Sequence, residues 1–323
     1  MIGIVNLSDT ESFRLRVHGL TGNFRSLSTF LLLPFSYRLV VESSRLKSLV
    51  LPEEVEAYRD RMWRRTPDLH IETAIEAEQL IDSTGFCAAL MDARRSGPSL
   101  YVAVCGRRDA FMPRNVQKDP EASLAWTTKD EVMRRGKVYY AKLAKGRATF
   151  LAPRLVPHFN ALWGVPRKQE AATLSDDARA VLKVLRREWE MATCDLREAS
   201  GVGDRPRFTR AMDELQRTMK VMPSEVLYEP WFTYIWTLAE GRFAKELAVK
   251  VKREVALQEV ARAFLTGAGL TVRGELARIT GLSRPDAGKG NYALVKEGFA
   301  ERIGDGVYRL SDFAERLNRF ADA

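Results

Sequence analysis

The chain has little cysteine and little histidine, three of each in 323 residues. Cys87, Cys105 and Cys194 are odd in number, widely spaced and mostly set in apolar runs, which leaves no basis for a disulfide framework or a zinc site. They read as small buried hydrophobes in a reducing cytoplasm. His18, His70 and His158 are isolated, with no nucleophile pattern near them. Glycine-rich phosphate loops are missing too: there is no P-loop, and Gly201-Val202-Gly203 lacks the third glycine and the preceding strand of a dinucleotide fingerprint. Neither a metal nor an organic cofactor is expected. Long apolar runs are also absent. The most apolar window, 30–41, is broken by Pro34, Ser36 and Arg38, and no basic flank or small-residue cleavage site accompanies it. The expectation is a cytoplasmic protein that neither crosses a membrane nor is secreted.

What the chain does have is a globular composition, 46% hydrophobic and 29% charged, and length enough for two or three domains. Its formal net charge of +9 favours a polyanionic partner. Between Arg94 and Arg154 fourteen basic residues stand against five acidic ones, an excess equal to the net charge of the whole chain. Within that stretch, 126–151 interleaves Lys129, Arg134, Arg135, Lys137, Lys142 and Lys145 with Trp126, Tyr139 and Tyr140. Such a mixture suits a surface that pairs phosphates and stacks on bases. The competing reading is an amphipathic segment with its aromatics in the core.

Residues 1–50 show weak periodicity, so they are either a loosely packed extension or a segment upstream of a true start near Val50. Helical spacing begins at 52–65 and returns at 73–83; Gly85 then opens an apolar run, 86–91, that reads as a buried strand. After a turn-rich connection, Ser175-Asp176-Asp177 caps a helix over 175–189, a short helix runs from Thr193 to Gly201, and a third covers 206–220. Two strand-like runs follow around Pro223-Ser224-Glu225. The same order returns about eighty residues later: a helix over 255–265, a short helix capped by Thr271, a third helix over 283–297, and a hairpin around Gly304-Asp305-Gly306. Helix, short helix, helix and hairpin, found twice, spell tandem winged helices. In such units the third helix enters the major groove with its first residues. Arg205, Arg207 and Arg210, with Arg217 further along, are placed for that task. The later copy is nearly neutral, its third helix interrupted by Gly288-Lys289-Gly290, and suits packing or partner docking.

Three stretches, Ile81-Asp82-Ser83-Thr84-Gly85-Phe86, the segment 126–140 ending in Gly136-Lys137-Val138-Tyr139-Tyr140, and the helix 208–216, together resemble the AlkZ-like winged-helix DNA glycosylases, and most of all their AlkZ-related branch. The resemblance spans roughly 51–310. It implies a mainly α protein with small β wings (α+β), tandem winged-helix domains forming a concave basic surface, and double-stranded DNA, possibly damaged, as partner. The expected division is an N-terminal extension (1–50), a first winged-helix-like unit with the basic segment (51–170), a winged-helix domain (171–250), and another with a C-terminal helix (251–323). Those glycosylases position the attacking water with a Gln-apolar-Gln or Gln-apolar-Asp motif. None of the five glutamines heads a Gln-x-Gln. Gln117-Lys118-Asp119 has the Gln-x-Asp spacing with a charged centre, and Gln79 and Asp82 share a helical face; these are the catalytic candidates. The leading expectation is therefore a DNA-binding protein connected with repair. The alternatives are an active glycosylase that flips alkylated or crosslinked bases and a winged-helix transcriptional regulator.

Overall fold

The computed structural model describes residues 51–321, so the expectation about 1–50 lies outside the described residues. Helix α1 (Glu53–Met62) comes first. One succession of elements then occurs three times: a helix, a strand, two helices and a strand pair. The first repeat holds α2 (Ala74–Thr84), β1 (Phe86–Ala88), α3 (Leu100–Cys105), α4 (Pro120–Arg135), β2 (Tyr139–Lys142) and β3 (Ala148–Leu151). Connecting helices α5 (Val156–Trp163) and α6 (Glu170–Thr173) lead to the second repeat: α7 (Asp176–Glu188), β4 (Glu190–Ala192), α8 (Thr193–Ala199), α9 (Arg205–Arg217), β5 (Val221–Leu227) and β6 (Thr233–Leu238). Helices α10 (Ala239–Arg242) and α11 (Ala244–Ala248) precede the third: α12 (Arg253–Ala268), β7 (Leu270–Thr271), α13 (Glu275–Thr280), α14 (Arg284–Lys296), β8 (Ala300–Gly304) and β9 (Val307–Leu310), with α15 (Phe313–Ala321) after it. Each repeat closes a three-stranded antiparallel sheet whose last strand lies in the middle, in the orders β1-β3-β2, β4-β6-β5 and β7-β9-β8. The protein is α+β, mostly helical with small antiparallel sheets.

Local chemistry explains the shared pattern. Thr73 and Glu76 form a capping box at the start of α2, while Ser175, Asp204 and Ser283 accept the third backbone N–H of α7, α9 and α14. Each cap satisfies a donor that the helix itself leaves open, worth about 1 kcal/mol. The opening helix of every repeat stops on a residue of positive φ, which lets the chain turn straight into the strand: Gly85 (φ 79°), Trp189 (φ 66°) and Gly269 (φ 70°). Glycine is also needed for space in the third case, where a Cβ would come within 2.6 Å of Phe313 and 2.8 Å of Tyr58. Trp189 takes the same conformation with a bulky side chain, at the strain expected of a non-glycine residue there.

Several local expectations are corrected. Pro223-Ser224-Glu225 is a bulge inside β5, where a proline is tolerated, and the chain reverses further on, between Leu227 and Thr233. Thr271 belongs to β7, and Gly274 holds the cap position of α13. The strand after Gly85 has three residues because the chain leaves the sheet beyond Ala88. Helix α14 runs unbroken through Gly288 and Gly290; the latter is a close-approach residue, since a Cβ there would lie 2.5 Å from the Leu257 carbonyl of α12. Cys87 and Cys105 are buried but Cys194 is exposed.

The repeats do not have separate interiors. One core joins Phe86, Tyr139 and Leu151 of the first to Met219 and Met222 of the second and to Leu257, Phe264 and Leu294 of the third. Helix α1, although it precedes the first repeat, packs on the third. The Arg59 guanidinium makes a bidentate pair with Glu275 (3.0 and 3.1 Å) and donates to the carbonyls of Ala268 (3.1 Å) and Leu270 (2.7 Å). Glu275 also accepts from the Ser96 hydroxyl (2.7 Å) and the Val272 N–H (3.2 Å). Arg59 and Glu275 are both almost fully buried, and this set of donors and acceptors is what makes such burial tolerable.

Candidate nucleic-acid interface

Helix α9 occupies the third-helix position of the second repeat. Its inward stripe is Phe208, Ala211, Met212 and Leu215, all buried. That register turns Arg205, Arg207, Arg210 and Arg217 outward, and all four are exposed. Arg205 and Arg210 have no hydrogen-bond or ion-pair partner among the described residues. Arg207 reaches back to Asp177 of α7 (Nη2 to Oδ1 2.6 Å), which holds that carboxyl below its ordinary range. Arg217 donates to the backbone carbonyl of Asp213 (3.2 Å). The Asp213 carboxylate meets Lys142 Nζ at 2.9 Å, so Lys142 and Arg217 gather around one residue of α9.

The basic segment of the first repeat is arranged differently. Lys129 is 1% exposed; its ammonium is paired with Asp130, lies 3.1 Å from the Tyr234 hydroxyl and sits 4.8 Å from the Trp126 ring centroid. The Tyr228 hydroxyl donates to Asp130, and burial together with that bond pushes the Tyr228 phenol up to about 12. Arg134 pairs with Glu225 and donates to the Val226 carbonyl (3.0 Å). Arg135 and Lys137 converge on Glu78 at 2.6 and 3.6 Å. Tyr139 and Tyr140 point to opposite faces of β2, yet both faces are covered: Tyr139 packs on Phe243 (5.3 Å between centroids) and Tyr140 on Phe150 (4.7 Å). Burial raises both phenols. Lys129, Tyr139 and Tyr140 are therefore interior residues, and the expectation that they contact DNA is corrected. Lys145 alone of this group is exposed and unpaired among the described residues, at the turn between β2 and β3.

The β5–β6 hairpin was not singled out from the sequence. Its root covers α4, but its tip projects Tyr228, Trp231 and Phe232, the tryptophan 78% exposed. From the tip inward, Tyr228, Phe232, Tyr234 and Trp236 form a row with centroids 5.2 to 5.6 Å apart. The available signal was the run Tyr228-Glu229-Pro230-Trp231-Phe232, aromatics around a proline, which a reversal misplaced at Pro223 concealed.

The candidate catalytic pairs are engaged elsewhere. Asp119 caps α4 by accepting from Ala122 N–H (2.8 Å), and Gln117 is exposed on a short turn before it. Gln79 accepts from Arg64 (3.1 Å) and Asp82 pairs with Arg154 (3.5 Å), both on the exposed face of α2. Two cavities, of about 470 and 400 Å³, include none of the four. Among the described residues no group of His, Cys, Asp and Glu is set to hold a metal ion, and no helix is long and apolar enough to cross a membrane.

The fold and this surface define a mostly helical protein of threefold repeated topology that presents an arginine-bearing helix start beside an aromatic hairpin. The model of the family described as AlkZ related matches residues 71–264, more than half of the chain, and the protein belongs to that family. Among solved structures, the Streptomyces sahachiroi DNA glycosylase AlkZ is similar in fold, with a TM-score of 0.52 at 15% identity over 82% of this chain and 71% of that one. No curated protein matches the chain.

Proposed function

We propose that the protein binds double-stranded DNA, in a role connected with repair, and that its three repeats act as winged-helix units with α4, α9 and α14 as their third helices. The single observation that carries this reading is the pair Arg205 and Arg210: two exposed guanidiniums with no protein partner among the described residues, on the first turns of a rigid, capped helix. The α9 N-terminus adds its own partial positive charge, which favours phosphate oxygens. Membership of a family named for a DNA glycosylase supports the choice of DNA over other polyanions. Lys142, Lys145 and Arg217 would hold backbone on either side, and Trp231 is free to stack on an unpaired base. The reading is tested by titrating duplex DNA at rising salt. Affinity should fall steeply with salt, and Arg205→Gln with Arg210→Gln should reduce the logarithmic salt slope by about 2 without changing the melting temperature. Affinity that is absent, or flat with salt, would overturn it.

Excision of an altered base is the second reading, favoured by the fold likeness to a glycosylase. Its test is the appearance of abasic sites in alkylated or crosslinked duplexes, and its loss in Gln79→Ala or Gln117→Ala.

A further inference from the structure

The cavity of about 400 Å³ lies where β1 gives way to the following loop and β3 begins. Arg94, Arg95 and Arg147 line it together with the apolar side chains of Leu90, Met91 and Met112. Its one acid, Asp92, is already engaged: its oxygens accept the backbone N–H groups of Arg94 (3.1 Å) and Met112 (3.3 Å), and Oδ2 pairs with Arg94 Nε at 3.3 Å. Arg147 is the telling residue. Its Nε is buried without a hydrogen-bond partner, and among the described residues no carboxylate lies within ion-pair distance of its guanidinium. The Nε atoms of Arg65 and Arg186 are also buried without partners, but those guanidiniums hold carboxylates through their other nitrogens. For Arg147 the remaining contact is a 4.0 Å approach of Nη1 to the Met91 sulfur. Burial and the like charge of Arg95 both work against its charged form. A fold that keeps two guanidiniums facing one cavity without an anion is poised to accept one, because each planar fork offers paired N–H donors to a tetrahedral oxyanion.

We propose that this cavity is a phosphate-ester site, in which Arg95 and Arg147 clamp the phosphate of a nucleotide while Leu90, Met91 and Met112 cover its sugar or base. The nucleotide is either free or part of a strand, and the site is separate from the α9 surface.

The test uses the full chain with four probes: inorganic phosphate, deoxyadenosine 5′-monophosphate, deoxyadenosine and duplex DNA. For a free nucleotide, calorimetry should show binding of the monophosphate and none of deoxyadenosine, with a loss of roughly tenfold or more in Arg147→Met. Arg95→Gln, which alters an exposed side chain, should weaken it in the same direction. Arg205→Gln with Arg210→Gln should leave monophosphate binding unchanged, so that failure of the duplex reading and failure of this one are distinguishable. For a strand phosphate, Arg147→Met should instead lower duplex affinity and its salt slope by about 1. In both cases Arg147→Met should raise the melting temperature of the free protein, because an uncompensated buried charge has been removed. The proposal is overturned if phosphate and monophosphate fail to bind and neither variant alters duplex affinity.

Discussion

Helices α4 and α9 hold the same place in successive repeats and both are rich in cations, yet only one presents them. In α4 and the strand after it, Lys129, Arg134, Arg135 and Lys142 all meet carboxylates, three of these from other elements: Glu225, Glu78 and Asp213. In α9 a single acid, Asp177, reaches one of the first three arginines and leaves the others free. The lesson concerns charge density. The stretch with the largest excess along the chain is largely neutralised in space by acids distant in sequence, while a modest cluster on one helix turn keeps its charge available. The β5–β6 hairpin touches both regions, since its root supplies the acid and the tyrosines that lock α4 and its tip is bare.

The largest expected effect separates interior from surface charge. Lys129→Met leaves Asp130 buried with only Tyr228 to satisfy it and should cost about 3–5 kcal/mol in denaturant unfolding. A stable Lys129→Met protein that has lost DNA binding would break the contrast between the helices. Next comes the hairpin tip. Trp231→Ala should weaken binding to single-stranded or unstacked DNA by about 1–3 kcal/mol with an unchanged melting temperature. Arg134→Gln should lower stability by about 1 kcal/mol, because its half-exposed ion pair contributes little and its bond to the Val226 carbonyl somewhat more. The salt slope of duplex binding should stay as it was; a slope reduced by a full unit would return α4 to the interface. Smallest is Asp177→Asn, which frees Arg207 and should raise duplex affinity a few-fold. Arg207 holds the Asp177 carboxyl below its ordinary value, so the acid stays charged as pH falls and lets go only below about pH 4. The gain in the variant should accordingly be constant between about pH 5 and 8, and a gain that vanishes near pH 5 would mean that Asp177 is not held as described.

Much of the architecture was legible before the structure. Caps at Thr73, Ser175 and Ser283 and the apolar stripes behind them marked helices within a residue or two, because both signals are local. The outward set of α9 followed from the same periodicity. What stayed hidden depends on partners far away in the chain. Nothing near Lys129 in sequence says that Tyr234 and Tyr228 will enclose it, and alternation along β2 could not tell that both faces would be covered. Arg147 was counted only as part of a basic stretch, since its lack of an acid shows only in three dimensions.

The Arg59–Glu275 pair ties the first described helix to the last repeat, with Ser96 of the first repeat as a third party. Such a clasp makes the repeats behave as a closed ring of dependencies, unlike solenoid arrays in which each module leans only on its neighbours. Removing α1 would strand Glu275 in the interior of the third repeat, more than two hundred residues away. The molecule should melt in a single transition, and any attempt to excise one repeat as a portable module should yield an insoluble fragment. Evolution of such a chain is constrained accordingly: repeats can diverge in surface chemistry, as α4 and α9 have, but cannot readily be gained or lost.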